Sequence, residues 1–202
     1  MGKLSFVNHD VSKLVFNPTL KGDKCNKGDV FHEAEEGVYK KLLFTTPKLR
    51  CSITENHVSF CVDEDNREFL NFLVDIDDKV EGGAVTHKDT WFSSELTDDD
   101  IKEKYKGSVK TSRDKGHVFS TKISSKLKVY DLDKSVVELA DISSEDICIG
   151  MVELDCVNIG KNTFKNDYTV HHLKVLRKTV VKPSEISGES FVDSENVNIE
   201  DE

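Results

Sequence analysis

The chain has 202 residues, 28 bases and 38 acids, for a formal charge of −10. That length allows one domain with a real core. The acidic balance excludes a protein that grips nucleic acid with its whole surface, so any such site must be a local stripe of bases. Five cysteines (Cys25, Cys51, Cys61, Cys148, Cys156) without a CxxC pair fit neither a disulfide framework nor a zinc ribbon. Reduced thiols in a cytoplasmic or nuclear compartment are expected, with no cofactor and no resident metal.

Residues 1–36 alternate short apolar patches with the polar loop KGDKCNKGD. Residues 37–62 read as strands broken at Pro47 and at Thr54-Glu55-Asn56. In 65–81 the pattern changes. Phe69, Phe72, Leu73, Ile76 and Val80 recur at helical spacing and predict an amphipathic helix, capped by Asp65 and ended by Gly82-Gly83. Thr97 and Asp100 have capping-box spacing and predict a second helix over 98–106.

From 108 onward the runs HVFSTKI, KLKVYDLD, DICIGMVELDCVNIG and NDYTVHHLKVLRK mix β-branched and aromatic residues with polar ones, as strands do. The apolar phase slips between Met151 and Leu154, which predicts a bulge near Gly150. His171 and His172 should point to opposite faces of their strand. The fold expected is mainly β: an OB-like, partly open barrel with one inserted amphipathic helix, over residues 1–182. Residues 183–202 form a separate acidic, disordered tail.

No metalloprotease, nucleophile-elbow or phosphate-loop motif is present. Asp75, Asp77 and Asp78 are the best carboxylates for a metal-dependent nuclease, and a solvated helix face explains them as well. No run is apolar enough to be a signal or a membrane span. Bases interleaved with aromatics are the better signal. Lys48 and Arg50 follow Phe44. Phe119, Lys122, Lys126, Lys128 and Tyr130 share one stretch. Lys161, Phe164, Lys165 and Tyr168 share another. Ammonium groups that follow phosphates, beside rings that stack on unpaired bases, make a groove for single strands.

The last twenty residues hold seven acids (Glu185, Glu189, Asp193, Glu195, Glu200, Asp201, Glu202) and no base. The twelve before them hold four bases and no acid. A mobile anion tethered beside a basic surface can occupy it until nucleic acid displaces it. Phe191 and Ile199 would then anchor the tail on protein partners.

The series LLFTTPKLRCS, SFCV, REFLNFLVDIDDKV, WFSSELTDDDIKEKYKGSVK, HVFSTKI, KLKVYDLD and the paired strands DICIGMVELDCVNIG and NDYTVHHLKVLRK resembles a known family. It is similar to the OB-fold single-stranded DNA-binding proteins of large nucleocytoplasmic DNA viruses, themselves similar to the phage T7 single-stranded DNA-binding protein. The element nearest a signature is Thr45-Thr46-Pro47-Lys48-Leu49. A tyrosine element that relatives carry after it is absent, as are the Trp and the second Gly of their last turn. The resemblance implies a replication and recombination protein, not an enzyme, that coats single-stranded DNA and docks viral replication proteins through the tail. It implies a place in the host cytoplasm or nucleus, away from membranes, and leaves a homodimer open. The alternative is a viral structural or protein-interaction module that binds no nucleic acid.

Overall fold

The computed structural model describes residues 5–21, 26–92, 94–113 and 116–177. The acidic tail therefore lies outside the described residues, as do Cys25 and Lys178. Eleven strands and three α-helices are described: β1 (Leu14–Lys21), β2 (Asn26–Glu35), β3 (Val38–Lys40), β4 (Leu42–Thr45), β5 (Leu49–Ile53), β6 (His57–Val62), α1 (Arg67–Thr86), α2 (Lys88–Trp91), α3 (Asp98–Lys104), β7 (Tyr105–Lys106), β8 (Val109–Ser112), β9 (Gly116–Tyr130), β10 (Ile147–Ile159) and β11 (Phe164–Val175).

Five of them close a ring in the order β10-β5-β6-β9-β11 and back to β10. All neighbours are antiparallel except β9 and β11, which run parallel. Taken in chain order as barrel strands one to five, this is the OB-like architecture expected. The closure is short, since β10 meets β5 through only Cys148↔Leu49 and Ile147↔Arg50. Further along, the same edge of β10 takes up β4 and then β2. The β1–β2 hairpin thus hangs on the far half of β10.

The core is aromatic. Phe44, Phe60, Phe69 and Phe119 are fully buried, and Tyr168 nearly so. Their ring centroids lie 5.0–6.4 Å apart in mostly edge-on pairs. Each such pair adds roughly 0.5–1.5 kcal/mol beyond area burial. Helix α1 caps this core with the residues its periodicity picked out: Phe69, Phe72, Leu73, Ile76 and Val80 are buried.

Both predicted ends of α1 are corrected. Asp65 sits in a 3-10 turn before the helix, whose N-cap is Asn66. The Gly82-Gly83 pair does not stop it. A Cβ on Gly83 would lie 2.6 Å from the Phe16 ring, so this glycine admits β1 against the helix. Helix α3 starts as predicted, with the reciprocal Thr97–Asp100 capping box formed. It ends at Lys104 because the next two residues leave to pair with β11.

A register shift falls beside Gly150 as expected, between Met151 and Val152, but the extra residue there belongs to β11 and not to β10. Gly150 stays in register with Leu173, and a Cβ there would lie 2.7 Å from the Phe60 ring. Two register shifts occur in all. One gives β10 an extra residue at Asp155, the other gives β11 an extra residue at His171. Val170 and Leu173 on either side of the histidine pair are both buried, so the bulge turns His171 and His172 outward together rather than to opposite faces.

Candidate nucleic-acid interface

The outward side chains of β5, β6 and β9 align in rows because the three strands are in register. One row runs Arg50–Cys61–Val118, and the next runs Ser52–Ser59–Ser120. Ser59 and Ser120 are joined by a 2.9 Å hydroxyl contact. Lys110 of β8 pairs with Val118 and lengthens the first row. A third row begins with His57 and Lys122. Neighbouring strands lie about 4.8 Å apart. The result is a trough floored by short side chains and edged by long cationic ones.

At one end of the trough β9 exchanges partners. Through Phe119 it pairs with β8, and from Lys122 it pairs with β11. A cleft of about 440 Å³ opens at this fork, lined by His57, Lys106, Lys110, Lys122 and Lys165 among serines, with Asp167 and Tyr168 at its base. In the OB fold, the face of strands two and three, with the one–two and four–five loops, is where oligonucleotides bind. Here those are β6, β9, the Thr54–Asn56 turn and the Gly160–Thr163 turn.

Electrostatics in the cleft centre on Asp167, which is only 4% exposed. Lys122 Nζ lies 2.6 Å from its carboxylate and Lys165 Nζ 3.9 Å, and Asn158 Nδ2 donates to it at 3.0 Å. Burial pushes the Asp167 pKa up, but the hydrogen bonds from Lys122 and Asn158 and the two lysine charges outweigh it and leave it lowered. Burial likewise works against the Lys122 ammonium, and Asp167 more than offsets that and holds its pKa up.

Beneath the cleft a second carboxylate anchors the β7–β8 connection. Asp77 of α1 accepts hydrogen bonds from the Ser108 amide at 2.8 Å, from the Tyr105 hydroxyl at 2.6 Å and from Asn166 Nδ2 at 3.1 Å, and also from the Ser108 hydroxyl. Ser108 and the Tyr168 hydroxyl are 2.8 Å apart. Burial dominates and raises the Asp77 pKa despite these donors. The network pins the segment that carries Lys106 and Lys110.

The ten residues read from the sequence divide into three groups. Lys122 and Lys165 meet in the cleft, and Arg50 stands in the row that reaches it. Lys48, Lys126, Lys128 and Lys161 are exposed but do not line the cleft. Lys128 lies beyond a break in the β9–β11 register, opposite His172. Phe119, Phe164 and Tyr168 correct the expectation of stacking rings. Phe119 and Phe164 are fully buried and Tyr168 is 3% exposed, so none presents a face to a base. They are inward members of alternating strands that carry their lysines outward. Trp91 is core as well, and its Nε1 donates to the Asn17 carbonyl at 3.2 Å. His57, Lys106, Lys110, Ser59 and Ser120 were missed. The run Lys104–Lys110, with bases flanking Gly107-Ser108, held a signal for two of them.

Elsewhere, a hollow of about 820 Å³ between α1 and the N-terminal 3-10 turns is lined by Asp10, Glu68, Asp75 and Asp78 against Lys79 and His9. Its sign is wrong for phosphate. Asp77 turns into the buried network while Asp75 and Asp78 line this hollow, so the three carboxylates of the nuclease reading are not brought together.

Residues 48–193 match the model of a family described as "Family of unknown function (DUF5871)". The chain belongs to this family. No curated protein matches it. Among solved structures it is similar to the single-stranded DNA-binding protein of bacteriophage Enc34, with TM-score 0.49, 12% identity and coverage of 89% of this chain and 96% of that one. The same phage protein in complex with single-stranded DNA gives 0.46 and 10%, over 80% and 96% of the two chains. The single-stranded DNA-binding protein of bacteriophage T7 gives 0.46 and 11%, over 77% and 100%. Likeness at this level bears on neither ligand nor partner.

Proposed function

We propose that this DUF5871 member binds single-stranded DNA along the β5–β6–β9 trough and in the cleft at its end. The carrying observation is the convergence of Lys106, Lys110, Lys122 and Lys165 with His57 on that one face of the barrel. Five strands and two turns contribute, so the convergence is a product of the fold and not of a lysine-rich run. The serine floor lets a sugar–phosphate chain lie close to the sheet. Among the described residues no Phe, Tyr or Trp ring is exposed in the cleft, so attraction to phosphate carries the affinity and sequence preference is weak.

Arg50 and the four cleft lysines, less the charge of Asp167, leave about four positive charges, so log K should fall with log salt at a slope of about −2.8. Anisotropy of a labelled oligo-dT across a salt series tests this. Lys110→Glu with Lys165→Glu should weaken binding at least about tenfold and flatten the slope, while Lys126→Glu with Lys128→Glu should do little. Equal effects from both pairs would remove the cleft from the reading. An oligo-rU series run in parallel reports any choice between DNA and RNA.

The sequence resemblance supports the finer role: coating strands exposed in viral replication and recombination, at the replication site in the host cytoplasm or nucleus. In that role the acidic tail competes for the cleft and docks replication proteins. The role is one of binding, and labelled strands should stay intact with Mg²⁺ or Mn²⁺ present.

A further inference from the structure

The two strand bulges have a chemical consequence. β10 gains Asp155 and β11 gains His171 in excess of the ladder, and both bulges fall beside Glu153, whose register partner is Thr169. Glu153, Asp155 and His171 thereby present one ligand atom each, all within 4.8 Å of one another. His171 Nε2 lies 3.2 Å from Glu153 Oε2. It is closed to solvent and yet makes no hydrogen bond, so the carboxylate does not lie where a ring N–H would point. Off-axis approach at that distance is unlike an imidazole–carboxylate bond. It fits two donors that share a third centre.

We propose that Glu153, Asp155 and His171 bind a divalent transition-metal ion of the Zn²⁺ class. Zinc takes imidazole nitrogen and carboxylate oxygen at about 2.0–2.2 Å, which sets donors about 3.3 Å apart around a tetrahedral centre. The Glu153–His171 spacing already meets that value. One nitrogen and two carboxylate oxygens suit Zn²⁺ or Mn²⁺ better than Mg²⁺, which asks for oxygen and water. The outer shell is in place. Thr169 Oγ1 donates to Asp155 Oδ2 at 2.5 Å and orients that carboxylate. Lys41 Nζ approaches the Asp155 carbonyl at 2.5 Å and Asp29 at 3.7 Å. Lys122 feels Asp155, but its ammonium bonds to Asp167. A bound ion would tie β10 to β11 where both leave the regular ladder, and would do so whatever the cleft holds.

The test uses the full chain, stripped with EDTA under reducing conditions and titrated with Zn²⁺ against a chromophoric chelator. One ion per chain is expected, with a raised melting temperature and no displacement by equimolar Mg²⁺. His171→Ala and Glu153→Gln should each weaken that binding by more than about a hundredfold, since even outer-shell losses reach that size. Both side chains lie on the outer face, and the isosteric Glu153→Gln carries the test should His171→Ala fold poorly. Co²⁺ in place of Zn²⁺ should give a spectrum without thiolate charge-transfer bands. No saturable binding, unchanged affinity in the variants, or a thiolate band that assigns the ion to cysteines would each overturn the site. None of these outcomes depends on binding of oligo-dT.

Discussion

Asp167 is the one acid among the residues lining a cleft proposed for a polyanion. Its neighbours explain it: it holds Lys122 and Lys165 over the fork and cancels one of their charges. Asp167→Asn should therefore move binding and stability in opposite directions. One charge removed near phosphate is worth about 1 kcal/mol in water at 4 Å. Oligo-dT affinity should rise about fivefold, with a salt slope steeper by about 0.7. Stability should fall by about 1 kcal/mol, because the half-exposed lysine is screened by solvent. The sign with pH follows from the lowered pKa. The pair's contribution is complete above the unfolded value, near 3.8. It disappears as pH falls through the lower folded value, so the stability gap between wild type and variant should close below about pH 4. A gap that persists into acid would mean the charge is not what stabilises.

The buried rings make a complementary case at the same scale. Phe119→Ala should cost about 3–5 kcal/mol in urea unfolding, and the protein that remains folded should bind oligo-dT as before. Loss of affinity without loss of stability would restore a stacking role. Trp91, at 1% exposure, should show little direct quenching when a strand binds.

The Thr46-Pro47-Lys48 element, which carried the family resemblance, turns out to secure the barrel seam. The Thr46 amide donates to the Gly150 carbonyl, and the Gly150 amide donates to Thr46 Oγ1, both at 2.9 Å. Thr46 is 3% exposed and follows directly on β4, Pro47 lies in the link, and Leu49 begins β5 two residues on. Thr46→Val keeps the shape and strands the buried Gly150 amide, at a cost of about 1–3 kcal/mol. Thr46→Ser should recover most of it. Chemical denaturation of the three proteins decides, and equal midpoints would deny the clamp.

This scale also shows where sequence reading succeeds. Strand breaks at Pro47 and at Thr54-Glu55-Asn56, the buried stripe of α1 and the α3 capping box are local patterns, and all are where expected. The misread features depend on distant partners. Gly83 answers to Phe16, and Gly150 answers to Phe60. The bulges at Asp155 and His171 exist only in the pairing of two strands. No window of sequence contains both members of any of these pairs.

For the whole molecule, the lysines were legible as outward residues but their convergence was not. Lys126 and Lys128 alternate outward as Lys122 does, and the register break in β9 separates them from the cleft. Lys106 and Lys110 reach it only because Asp77 holds the β7–β8 turn. Charge is divided along the chain in the same spirit. Seven of the ten net negative charges lie in residues 183–202, so the body is close to neutral, and four of its lysines, Lys106, Lys110, Lys122 and Lys165, meet in one cleft. A strand entering the cleft must compete with any anion tethered nearby, and tethering keeps that anion's local concentration at about the millimolar level. Deleting residues 183–202 should therefore tighten oligo-dT binding. The gain should be largest in low salt and should vanish as the screening length shrinks to about 3 Å near 1 M salt. The tail supplied as a free peptide at micromolar concentration should fail to restore the weaker binding, because it lacks the tether. An affinity that ignores the deletion at every salt concentration would leave the tail no part in strand binding, with the cleft itself still testable through Lys110 and Lys165.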